Sequence, residues 1–147
     1  MTMYANPKQQ RDRYAADAIM SASPMRLLTM LYDRLLLDLG RAEAAHETGS
    51  WAVASSNLLH AQDIVTELTS SLKPELWDGG DRLLALYTYV SSALIDANVK
   101  RDTARIRESI ELLEPLRQSW HEAAAQLAGS QPAAQRPAST GGMLGVA

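Results

Sequence analysis

Glu43-Ala44-Ala45-His46 has the spacing that puts a carboxylate and an imidazole one helical turn apart, able to reach the same metal ion. A di-iron bundle needs two such pairs and two further glutamates, and the chain carries the Glu-x-x-His pattern once, near the end of a predicted helix. The other two histidines, His60 and His121, fall on different predicted helices and share no motif spacing with His46 or with each other. Gly79-Gly80 follows a helix and lacks the Gly-x-x-x-x-Gly-Lys arrangement that cradles phosphate. Ser55, Ser70 and Ser91 stand outside any nucleophile-elbow spacing, and the absence of cysteine excludes thiol catalysis and thiolate metal sites. No residue set for catalysis is visible, and no cofactor is expected.

The elements that must carry any site are helical. Leu and Ala supply most of the apolar 46%, Phe is missing and aromatics make up 5%, a balance that suits stacked helices better than sheets. A net charge of −3 gives no electrostatic reason to approach nucleic acid. The basic stretch Lys100, Arg101, Arg105 and Arg107 is interrupted by Asp102 and Glu108 and reads as a solvated helix start. Asp33, Arg34 and Asp38 break the richest apolar run, so no membrane-spanning helix is expected. The polar start Met1–Arg13 does not resemble a secretory signal, which points to a cytoplasmic protein.

Ser23-Pro24 forms an N-cap followed by proline at the first helical position. A helix over about 24–48 follows, with Leu28, Leu31, Leu35, Leu39 and Ala42 at three-and-four spacing. Trp51, Ala54, Leu58, Ala61, Val65, Leu68 and Leu72 mark a second helix over 50–72 with one face committed to packing. Leu83, Leu86, Val90, Leu94 and Ala97 mark a third over 80–99. Ile106, Ile110, Leu113, Leu116, Trp120 and Leu127 mark a fourth over 102–128, in which Pro115 is expected to make a kink. Short connections imply antiparallel neighbours. The expected fold is all-α: an antiparallel up-down four-helix bundle with a short N-terminal helix at about 8–20, one domain over 1–128 and a disordered tail over 129–147.

Four ordered segments carry a resemblance: Ser23-Pro24-x-x-Leu27-Leu28-x-Met30-Leu31-Tyr32-Asp33; Ala61-Gln62-Asp63-Ile64-Val65-x-Glu67-Leu68-x-x-Ser71-Leu72; Leu83-x-x-Leu86-Tyr87-x-Tyr89-Val90 with Ala97-Asn98; and Leu113-x-x-Leu116-Arg117-x-x-Trp120. Together with Tyr14, they resemble the flagellin-specific export chaperones often called FliS. Arg34, Arg82 and Thr88 depart from that family's usual residues, as do Pro74, Trp77 and Pro115.

The resemblance implies a cytoplasmic chaperone that holds the C-terminal segment of flagellin, prevents early polymerisation and keeps the subunit competent for type III export. It also suggests contact with the flagellar export gate. A bundle with this work needs more apolar surface than its own core consumes. Leu27, Leu36 and Leu37 flank the first stripe, Ile64 the second, and Leu84 and Tyr87 the third. With Tyr14, Ile19, Leu31, Tyr32 and Leu68 they form the client-binding candidates, although for each flank residue taken singly a widened core face is the favoured reading. By family analogy Tyr14, Ala18 and Ile19 of the N-terminal helix cover the empty groove. The competing readings are a metal-binding bundle and an unrelated helical adaptor, and the protein is expected as a monomer or weak homodimer.

Overall fold

The computed structural model describes residues 7–12, 23–76 and 78–130. Residues 7–12 are helical and exposed (α1). Four long helices follow among the described residues: α2 (Pro24–Glu47), α3 (Trp51–Ser71), α4 (Gly80–Lys100) and α5 (Thr103–Ser130), with a 3₁₀ turn at Pro74–Leu76. The remainder of the expected N-terminal helix, with Tyr14, Ala18 and Ile19, lies outside the described residues, as do Trp77 and residues 131–147 of the expected tail. The last helix continues to Ser130, two positions beyond the expected end.

The start of α2 follows from local chemistry. Ser23 is extended and its hydroxyl accepts from the Arg26 N–H at 3.1 Å, satisfying one of the helix's orphan donors, while Pro24 has no N–H to satisfy. The chain leaves α2 through Gly49, whose φ of +68° is cheap only for glycine. Arg101, at φ +54°, ends α4 in the same left-handed region, and Asp102 accepts from the Ala104 N–H to start α5. Gly80 opens α4 hard against Pro74. A Cβ there would lie 2.6 Å from the Pro74 Cα, so the connection from α3 closes only over glycine.

These short links make sequential helices antiparallel neighbours, and α5 returns to α2 to close the ring. Tyr32, Leu35, Leu39, Leu58, Val65, Val90, Leu94, Ile106 and Leu113 fill its centre with almost no exposure. Two residues expected in the core are instead outside it. Trp51 begins α3 at the bundle end, with its ring against His46 and the Arg101 guanidinium 4.5 Å above it, and Leu127 lies exposed near the end of α5. Helix α5 runs on through Pro115, which faces solvent.

Candidate functional site

Between the start of α2 and the end of α3 the bundle leaves an open groove of about 490 Å³. Leu27, Leu28 and Leu31 form one wall and Leu68 and Leu72 the other. Leu83 and Tyr87 of α4 and Trp120 of α5 form the floor and far side. The charged lining groups, Glu67 and Lys73, belong to exposed residues of α3 and its exit. Leu27, Leu28, Leu31, Leu72 and Trp120 are half-buried. Each therefore holds apolar surface that the core does not use, and covering what remains exposed of a half-buried leucine brings a part of the roughly 1.5–3 kcal/mol that full burial is worth. The volume is that of a small-ligand pocket, but such pockets place a few convergent polar groups to orient their ligand. An apolar wall with charge only at its rim instead fits the apolar face of a helix.

Tyr87, which lines the groove, is held from behind by a buried partner in the core. The Tyr32 and Tyr87 hydroxyls lie 2.6 Å apart and hydrogen-bond to each other, on rings that are 0% and 1% exposed. Burial pushes both phenols up; for Tyr32 the bond to Tyr87 and the nearby Trp120 indole partly offset it, whereas Tyr87 is pushed further by its neighbour. Both stay neutral. The edge of the Trp120 ring meets Tyr32 at 6.2 Å, and its Nε1 is buried with no acceptor in hydrogen-bond geometry among the described residues.

The sequence candidates separate into three groups. Leu27, Leu31, Leu68 and Tyr87 are brought together around the groove. Tyr32 and Ile64 are buried in the core, and Leu36 packs half-buried against it; Leu84 is half-buried outside the groove lining. Tyr14 and Ile19 lie outside the described residues. Periodicity puts Trp120, Leu28 and Leu83 on core stripes; their place in the groove depends on where the four helices end relative to one another.

Asp38 is the polar residue that periodicity passed over. Its side chain is 0% exposed although ionisable, held by Arg34 Nε at 3.1 Å from its own helix and by His60 Nδ1 of α3. Lying between Leu35 and Leu39, it shares their buried sector, which was the available signal. The Glu43/His46 pair is occupied otherwise: Glu43 takes Arg107 at 3.2 Å, and His46 Nδ1 meets Thr103 Oγ1 at 2.9 Å. Among the described residues no three His, Asp or Glu side chains gather as a metal site. Arg105 is likewise committed, to Asp96, Glu108 and Tyr89, and these contacts hold it protonated.

The described residues form an all-helical bundle with an open apolar groove at one end, the architecture of a helical-bundle protein with an unfilled apolar face. The family model described as "Flagellar protein FliS" matches residues 5–127, and the chain belongs to the FliS family. It is 33% identical over 107 residues to the flagellar secretion chaperone FliS of Escherichia coli (strain K12), covering 71% of this chain and 79% of that one. The Bacillus subtilis (strain 168) protein of the same name is 29% identical over 110 residues, 75% and 82% of the two chains. A crystal structure of a bacterial flagellar chaperone superposes with a TM-score of 0.65 at 22% identity, over 82% of this chain and 99% of that one. No helix among the described residues is long and apolar enough to cross a membrane.

Proposed function

We propose that the groove between α2 and α3 holds the C-terminal segment of flagellin in the cytoplasm, keeping the subunit unpolymerised and competent for flagellar type III export. Membership of a flagellar secretion chaperone family supplies the setting. The observation that carries the reading is the set of half-buried leucines, Leu27, Leu28, Leu31 and Leu72, standing open in a groove that Tyr87 and Trp120 also line. A segment that packs in a filament carries apolar stripes which must be covered while it is monomeric. Laid as a helix in the groove, it covers them and the leucines together. Coupled folding and binding of this kind buries about 1,000–3,000 Å², enough to offset the several kcal/mol spent ordering the client. The work is binding, not turnover.

Amide chemical-shift mapping tests the reading. Titrating labelled protein with the C-terminal segment of the same organism's flagellin should move Leu27, Leu31, Leu68 and Tyr87 and leave the Trp51/Arg101 end still. Shifts confined to that far end would place the client elsewhere.

A further inference from the structure

The groove's α5 side is held by residues that do not line it. Pro115 has no N–H to give to the Glu111 carbonyl, so α5 lacks one rung of its ladder just before the turn that carries Trp120. Two sets of contacts bridge that gap. Arg117, beyond the proline, grips both carboxylate oxygens of Glu114, before it, at 3.0 Å. Arg117 also reaches across to α2, donating to Asp33 Oδ1 at 3.1 Å, and His121 Nε2 meets the same oxygen at 2.7 Å. Arg117 lies three residues before Trp120 and His121 one after, so Asp33 clamps the turn on which the indole stands. The indole Nε1 itself has no partner in hydrogen-bond geometry among the described residues.

We propose that Asp33 is a positioning residue for the groove: through Arg117 and His121 it fixes the stretch of α5 beyond Pro115 against α2, and with it the Trp120 wall on which the client packs. The client half of this inference rests on the function proposed above; the positioning half does not. Asp33 lines no part of the groove, so its effect on affinity is transmitted. A natural control exists in Glu43–Arg107, which joins the same two helices before the proline and away from the groove.

The test uses 5-fluorotryptophan in the full chain, whose three tryptophans, Trp51, Trp77 and Trp120, give separate fluorine signals, with Trp120→Phe assigning the third. Asp33→Asn should move or broaden the Trp120 signal, leave Trp51 in place and weaken binding of the flagellin segment roughly fivefold or more. Glu43→Gln should do neither. Should Asp33→Asn fail to fold, Arg117→Gln breaks the same link from the other helix. An unmoved Trp120 signal, or an equal movement in Glu43→Gln, overturns the positioning role. If the wild type does not bind the segment, the proposed function falls and the fluorine signals alone decide the positioning role.

Discussion

The hydroxyls of Tyr32 on α2 and Tyr87 on α4 satisfy one another at 2.6 Å within the buried core of the bundle. A buried hydroxyl that loses its partner keeps its full desolvation cost, whereas losing both partners removes the need. Tyr87→Phe alone should therefore cost about 1–3 kcal/mol of stability. The double change to phenylalanine should cost less than the two single changes added, a coupling of about 0.5–3 kcal/mol readable from denaturant midpoints in a double-mutant cycle. Strict additivity would mean the pair is not mutually dependent.

Asp38 predicts an asymmetry between its partners and itself. Removing His60 leaves a buried carboxylate leaning on Arg34 alone, and breaking a buried pair from one side typically costs about 3–5 kcal/mol, less where, as here, the removed partner is half in water. Replacing the charge itself, Asp38→Leu, frees Arg34 and His60 to hydrate and should cost less than His60→Ala. Urea unfolding with an unchanged slope would register both.

Acid should dissolve the clamp on α5. Burial alone would raise the Asp33 carboxyl, but the bonds from His121 and Arg117 outweigh it and hold it below the usual aspartate range; Arg117 does the same for Glu114. Because these groups bind protons less readily folded than unfolded, their contribution is fully present above the ordinary carboxylate range of about 4 and is lost as the pH falls through their lower folded values. The stability gap between wild type and Asp33→Asn should therefore narrow in acid. Thermal melts across that range check it, and a gap that widened would contradict the assignment.

Proline 115 offers a test of the ladder. It is exposed and sits inside α5, so Pro115→Ala restores a donor to the Glu111 carbonyl and should raise stability by up to about 3 kcal/mol. A loss of stability on chemical denaturation would show that α5 needs the proline's geometry to meet α2.

How much of this was legible in the sequence differs between core and groove. The stripe Ala54-Leu58-Ala61-Val65-Leu68 is buried along its length because period alone decides which face of a helix meets its neighbours. Trp51 continues the same period yet stands at the bundle end, where no neighbour remains to bury it and Arg101 stacks on it instead. Period also cannot rank flanks. Ile64 and Leu27 both flank a stripe, but Ile64 meets the core at mid-helix while Leu27 lies in the first turn of α2, where the bundle opens. Asp33 and Arg117 were legible as parts of two motifs, though not as one ion pair, because their 84-residue separation is closed only when α5 returns to α2.

Calorimetry of the full chain with the C-terminal segment of the same organism's flagellin tests the central claim most directly. The wild type should bind with a negative heat-capacity change, the mark of buried apolar surface. Leu27→Asp, which sets a charge on the groove wall without entering the sealed core, should lose that binding while keeping its helical spectrum. Wild-type protein that gives no heat with the segment, or a Leu27→Asp variant that binds as tightly as wild type, would contradict it.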